Sequence, residues 1–335
     1  MNTMNNKVPL IGITIGDPSG IGPEIILTAF KKINNNSSNL IVIGNFEVME
    51  KIKNLIGIKS ITLNKIKEVA EAKFKDDILN VYHLDNIDLN KLLPKKVQAM
   101  AGKAAFEYIE SAINLALRGE IDAVVTGPIN KEALHLAGYC YPGHTEIFAK
   151  LTKTEDYAMF FYSDILKVSL VSTHLSLQEA IGKISKERVA KVIQLTHDVM
   201  KNLGVKKPRI GVAGVNPHAG ESGLFGREEQ DKIIPAIEMK RKEGIHVEGP
   251  FPADTIFIKA KNKVYDAIVA MYHDQGCIPI KLLAFDYAVN VTIGLPIIRT
   301  SVDHGVAYGR AWEGRANDES MVQAIKLAIR LARAK

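Results

Sequence analysis

The run VYDAIVAMYHDQG, Val264 to Gly276, sets an apolar segment directly against four hydrogen-bonding side chains and a glycine. Asp266–Met271 is short, apolar and free of alternation, which predicts a strand buried on both faces. Tyr272-His273-Asp274-Gln275 then ends it. In open α/β sheets ligands bind outside the carboxyl ends of strands, so a strand that stops on such residues stops at a site.

Working outward, the same order recurs along the chain. Strands are predicted at Pro9–Ile15, Leu40–Ile43, Ala123–Thr126, Val168–Ser172 and Arg209–Ala213. Helices are predicted at Gly22–Ile33, Phe46–Leu55, Val97–Arg118, Lys131–Ala137, Thr145–Leu151, Lys186–Leu203, Arg227–Glu243 and Asn317–Ala334. This alternation argues an α/β protein with parallel or mixed sheets. The 335 residues suffice for two domains. The expected division is 1–135 with 305–335, both termini in one domain, and 136–304. The polar segment 57–95 shows only weak strands near Ile61 and Val81.

Composition excludes several classes. The 43 Lys+Arg against 37 Asp+Glu leave +6, spread as scattered lysines. No basic stripe with interleaved aromatics suggests nucleic acid, while a basic balance suits a small anionic substrate. Cys140 and Cys277 stand far apart, outside any CxxC pattern, so a reducing compartment is expected. No segment reaches the ~18 apolar residues of a membrane span. The expectation is a soluble, cytoplasmic protein.

Polar clusters follow the strands. Thr14-Ile15 leads into Gly16-Asp17-Pro18-Ser19-Gly20, and Thr126 into Gly127-Pro128-Ile129-Asn130-Lys131. His174, His218 and His273 are each the first imidazole after a buried strand. Three converging imidazoles can hold a divalent ion and leave a position open for substrate. Three separate histidines, each hydrogen-bonded at its own strand end, fit the spacing as well. His304 is a site neighbour by sequence. His135 and His197 lie in helical patterns, and His83 and His246 read as surface. His144 opens the helix at Thr145, where free backbone N–H groups suit an anion; simple capping, shared with Thr145, accounts for it too. Gly16–Gly22 matches neither the dinucleotide fingerprint nor a P-loop. Lys281, Asn290 and Arg299 follow His273 at regular intervals, the two cations in apolar surroundings. Such cations are paired or face a ligand. A phosphate is one choice, and a salt bridge to Asp286 or Asp303 the other.

GDPSGIGPE, TGPINK, GHTE, STH, NPHAGE, GPFPADT, MYHDQG and NVTIGLPIIRTSVDHG, in this order and across nearly the whole chain, resemble the 4-hydroxythreonine-4-phosphate dehydrogenase family of vitamin B6 synthesis. The resemblance implies two α/β/α domains around a cleft, like isocitrate and isopropylmalate dehydrogenases, in a homodimer whose active site lies at the subunit interface. It implies a divalent metal (Zn, alternatively Mg, Co or Mn) on His174, His218 and His273, one ligand coming from the partner. His144, Thr145, Lys281, Asn290 and Arg299 become substrate contacts. The implied reaction is NAD- or NADP-linked oxidation at C3 of a 4-phosphorylated hydroxy acid, then β-decarboxylation, with the ion as Lewis acid. Asp274 is placed to orient His273 or a water. Asp254 is a candidate for the same task, with a buried structural carboxylate as the alternative. Lys281 suits a phosphate clamp or a proton donor. Cys277, Ala288 and Val306 depart from the family's usual residues. GLFGREE and IPIKLL look closer to a paralogous branch acting on phosphorylated threonate or erythronate. A non-catalytic metabolite binder of the same fold is the remaining alternative.

Overall fold

The computed structural model describes residues 8–33 and 38–335, and strands and helices alternate over most of them. The chain divides into two units, one running to Thr154 and resuming over Leu295–Arg333, the other spanning Glu155–Gly294.

The first unit contains β1 (Leu10–Thr14), α1 (Gly22–Phe30), β2 (Asn39–Gly44), α2 (Phe46–Leu55), β3 (Thr62–Ile66) and β4 (Ile78–His83). It continues with α3 (Ala99–Leu117), β5 (Ala123–Thr126), α4 (Lys131–Leu136) and α5 (His144–Leu151). The second unit contains β6 (Ala158–Tyr162), β7 (Lys167–Leu170), α6 (Leu177–Lys183), α7 (Lys186–Asn202), β8 (Ile210–Ala213) and α8 (Ile234–Lys242). After these come β9 (Val247–Phe251), α9 (Ala253–Lys261), β10 (Ala267–Ala270), α10 (His273–Ala284) and β11 (Val289–Ile293). The chain returns to the first unit with β12 (Ile298–Val302) and α11 (Glu319–Ala334).

The first unit's strands run β3-β4-β2-β1-β5-β12, every neighbour parallel. Its central strands are apolar because both faces are covered: Ile11, Ile13, Ile41 and Ile43 are all buried. Each contributes about 1.5–3 kcal/mol of burial. Segments 136–154 and 295–304 were expected in the second domain and group here instead. The reason is pairing: Ile298–Ser301 runs parallel along Ala123–Thr126, and α5 packs on α3.

In the second unit the order is β11-β6-β7-β10-β8-β9. The pairs β11/β6 and β6/β7 are antiparallel, and β7/β10, β10/β8 and β8/β9 parallel. The opening run is β10, buried throughout. Its polar end is the first turn of a helix, with Tyr272 extended as N-cap and Pro279 carried inside. Gly276 lets that helix lie close on the sheet, since a Cβ there would stand 2.5 Å from Leu170 Cδ2. Among the described residues no helix is long and apolar enough to cross a membrane. Both cysteines are free, Cys140 exposed and Cys277 buried.

His83, expected at the surface, is half-buried, its side chain 7% exposed and its Nδ1 accepting from the Phe46 N–H at 3.1 Å at the start of α2. Burial holds its pKa below the usual histidine range.

The turn after β1 carries a second buried titratable group. Asp17 Oδ1 accepts from the Ser19 N–H at 2.8 Å, and Oδ2 from the Tyr308 hydroxyl at 2.8 Å. Burial dominates these two hydrogen bonds and lifts the carboxyl from 3.8 to about 6. A carboxyl raised on folding gives stability that is full below its unfolded pKa and lost as pH rises through the folded one. At about pH 7.5 the ionised group is therefore a cost. Asp17→Asn is expected to stabilise the protein there by about 1–2 kcal/mol, with a gain that shrinks towards pH ~4. Urea denaturation at both pH values measures it. A gain independent of pH would show that the buried charge is not its source.

Candidate active site

The neighbouring parallel strands β7, β10 and β8 deliver His174, His273 and His218 past their carboxyl ends. The His174 and His273 rings lie 5.8 Å apart, tilted by 39°. Both line a pocket of about 320 Å³ with Ser172, Thr173, Leu175 and Tyr272. His273 Nδ1 and Asp274 Oδ1 are 2.7 Å apart. A carboxylate only accepts, so Nδ1 is the donor in that contact and Nε2 is the ring nitrogen left for a ligand.

His218 sits differently. It begins five consecutive left-handed residues, His218 to Ser222, of which only Gly220 is suited to that conformation. Each non-glycine residue held there costs of order 1 kcal/mol. His174 also has a positive φ, of 44°. Strain at two of the three histidine loops marks them as shaped for something other than chain reversal. The 218 loop is anchored from below by buried Glu229. Its Oε1 accepts from the backbone N–H groups of Val215 and Asn216 at 2.7 and 2.8 Å, and its Oε2 from Asn216 Nδ2 at 2.9 Å. The His218 ring lies 6.0 Å from that of Phe225. Neutral imidazoles suit a divalent ion as donors, and His174 with His273 forms a ready pair. Among the described residues, though, no three His, Cys, Asp or Glu side chains stand where they could hold a metal together. One chain thus supplies two of the three expected ligands as a pair and the third apart.

The first unit holds a separate, buried polar cluster between β12, β5 and the start of α5. Arg299 on β12 is 2% exposed. Its Nη2 donates to Thr126 Oγ1 at 2.8 Å, and its guanidinium carbon lies 5.5 Å from the Phe148 ring centroid. Burial lowers its pKa to about 9, with the charge of Glu146 opposing. It therefore remains a cation at neutral pH. His144, the first residue of α5, is half-buried and hydrogen-bonded to the Gly127 backbone. Its pKa lies well below the usual range, first from burial and then from the charge of Arg299. Its Nε2 is buried without a hydrogen bond. The imidazole is thus neutral, with Nδ1–H donating to the Gly127 carbonyl and the Nε2 lone pair left as an acceptor. Thr145 beside it is buried. A cation next to a neutral acceptor suits a ligand carrying both an anion and a hydroxyl.

The remaining residues fall apart from these sets. Lys281 is exposed on α10. Of the apolar residues around it, Ile280 belongs to the core, whereas Ile278, Leu282 and Phe285 are 57%, 80% and 71% exposed, so Lys281 lies on the outer face of the helix. Asn290 is half-buried on β11 opposite Phe161. Asp254 is exposed in the first turn of α9, which removes the buried-carboxylate alternative; a helix start favours an acidic residue there. Glu229 and Tyr308 escaped sequence reasoning, and Thr126 and Asp17 entered it only as members of polar clusters after strands, without partners. Their partners come from distant strands, and no local pattern announces them.

Residues 36–328 match the family model described as pyridoxal phosphate biosynthetic protein PdxA. The chain belongs to this family. It is 49% identical to D-threonate 4-phosphate dehydrogenase of Salmonella typhimurium over 96% of this chain and 98% of that protein. It is 46% identical to the crystal structure of 4-hydroxythreonine-4-phosphate dehydrogenase from Klebsiella pneumoniae, covering 97% of this chain and 99% of that one at a TM-score of 0.88. A β-decarboxylating dehydrogenase from Thermococcus kodakarensis, 15% identical, shares the fold at a TM-score of 0.50 over 96% of this chain and 83% of that one.

Proposed function

We propose that the chain is an NAD(P)-dependent dehydrogenase that oxidises C3 of D-threonate 4-phosphate and then releases the C1 carboxylate as CO2. The observation that carries this reading is the 49% identity, over nearly the full length of both chains, to a protein named for that substrate. A second substrate, 4-hydroxythreonine 4-phosphate, is favoured by the name of the Klebsiella structure. The two differ by a hydroxyl or an ammonium at C2. Parallel assays with both compounds separate them: D-threonate 4-phosphate is expected to give the higher kcat/KM, and the reverse order would restore the second substrate.

Each residue set has a task in this reaction. Arg299 provides the charge for the anionic end of the substrate, and Thr126 and Phe148 hold its guanidinium in place. His144 accepts a hydrogen bond from a substrate hydroxyl through Nε2. His174, His218 and His273 hold a divalent ion, Zn or alternatively Mg, Co or Mn, and Asp274 keeps the His273 tautomer that leaves Nε2 free to ligate. When bound, the nicotinamide takes up the hydride leaving C3 and the ion stabilises negative charge on oxygen. The C3 hydroxyl proton passes to a base. The 3-keto acid loses CO2, and C2 takes a proton from a nearby donor. Lys281 serves as that donor or clamps the phosphate. Lys281→Arg separates these, because a guanidinium keeps the charge but does not release a proton at working pH.

A homodimer accompanies this reading. Ile278, Leu282 and Phe285 follow one face of α10, the helix that also bears His273 and Lys281. Covering that face with a second copy would remove exposed apolar surface and bring in the missing histidine. The location proposed is the cytoplasm. A metal-free protein whose turnover ignores chelators would remove the histidine–metal assignment and favour a metabolite binder.

A further inference from the structure

The strand ends bearing His174, His273 and His218 are adjacent in the order β7-β10-β8, but a ladder of short strands does not by itself set the loops beyond it. Two side chains do. Ser172 Oγ donates to the Met271 carbonyl at 2.9 Å and joins the end of β7 to that of β10. Gln275 joins β10 to β8: its Oε1 accepts from the Met271 N–H at 2.7 Å, and its Nε2 donates to the Gly214 carbonyl at 2.7 Å. The orientation of the amide is dictated by its partners, since a backbone N–H only donates and a carbonyl only accepts. Gln275 is 8% exposed, so neither bond is replaced by water at low cost. Immediately past Gly214, Glu229 takes up the N–H groups of Val215 and Asn216. One hydrogen-bonded path thus passes beneath all three histidine loops.

We infer that Gln275 is a positioning residue that sets the His218 loop against the end of β10, and so where this chain presents His218 as a ligand to the divalent ion; the second part rests on the metal reading above. The left-handed run His218 to Ser222 is unfavourable in isolation and persists only where its base is held from outside. Gln275 and Glu229 are the side chains that hold that base.

Gln275→Met keeps the shape and removes both hydrogen bonds. Tyr265→Phe removes a hydrogen bond to Glu248 elsewhere in the same unit and controls for general destabilisation. Hydrogen exchange of the metal-free full chain should speed up about tenfold or more over 214–222 in Gln275→Met and stay unchanged there in Tyr265→Phe. Titration with cobalt(II) alone should show about 10–100-fold weaker binding in Gln275→Met and unaltered binding in the control. Should Gln275→Met not fold, Gln275→Asn provides the second test: it keeps the amide but is one methylene too short to reach both Met271 and Gly214, and faster exchange over 214–222 with weaker cobalt binding is again expected. Exchange over 214–222 at the wild-type rate, or equal cobalt affinity in wild type and Gln275→Met, would overturn the inference. If the wild type takes up no cobalt, the metal reading fails on its own, and the exchange rates still decide whether Gln275 sets the loop.

Discussion

Arg299→Ala is expected to lower kcat/KM for the phosphorylated substrate by one to two decades while leaving the unphosphorylated analogue nearly unaffected. A charge-assisted contact to a buried guanidinium is worth roughly 1.5–3 kcal/mol, which gives that range. Arg299 is buried, so burial has already stripped its water, and its field towards a bound anion is little screened. Thr126 and Phe148 fix the plane of the fork. Lysine at this position offers a point charge with no plane to stack on Phe148, so Arg299→Lys should recover only part of the loss. Truncation to alanine in a packed strand also costs stability, so activity is compared only after both variants are shown folded by circular dichroism. Equal losses on the phosphorylated and unphosphorylated substrates would make Arg299 a structural cation, held by Glu146, Thr126 and Phe148 for the sake of the fold.

His273→Ala should reduce turnover by about three decades or more, the scale of removing a metal's electrostatic contribution of several kcal/mol. Its side chain is 41% exposed and that of its partner Asp274 73% exposed, so the protein should stay folded. That separates the variant from a core mutation. Asp274→Asn is the graded companion. It weakens the acceptor on Nδ1 without removing the ligand, and a loss of about 10–100-fold is expected. Steady-state kinetics at saturating divalent ion checks both. Turnover of His273→Ala within tenfold of wild type would remove His273 from the reaction, and the His174–His273 pair would then be a packing contact.

Much of the fold was legible because burial on both faces leaves apolar runs that need no partner information. β1, β5, β8 and β10 lie at the predicted places within a residue or two. The strands β11 and β12 were not legible. Asn290 and Arg299 interrupt their apolar runs, and a cation buried in a parallel sheet defeats any reading that equates charge with surface. α10 was hidden for a related reason: its first turn is polar and Pro279 sits inside it, so the local pattern resembles a loop. The histidines were found because each follows a buried strand. Their supports were not, because Gln275 meets Gly214 and Glu229 meets Asn216 only through strand order. The left-handed conformation of Ala219, Glu221 and Ser222 has no local sequence signature at all.

In the proposed reaction, oxidation at C3 of a phosphorylated four-carbon acid is coupled to loss of CO2. The most direct measurement follows NAD(P)H absorbance and released CO2 together, with D-threonate 4-phosphate and with D-threonate as substrates in the presence of divalent ion. The prediction is equal yields of NAD(P)H and CO2 from the phosphorylated acid and turnover lower by at least about tenfold from the free acid. NAD(P)H formed without CO2, or equal rates on the two acids, would contradict it.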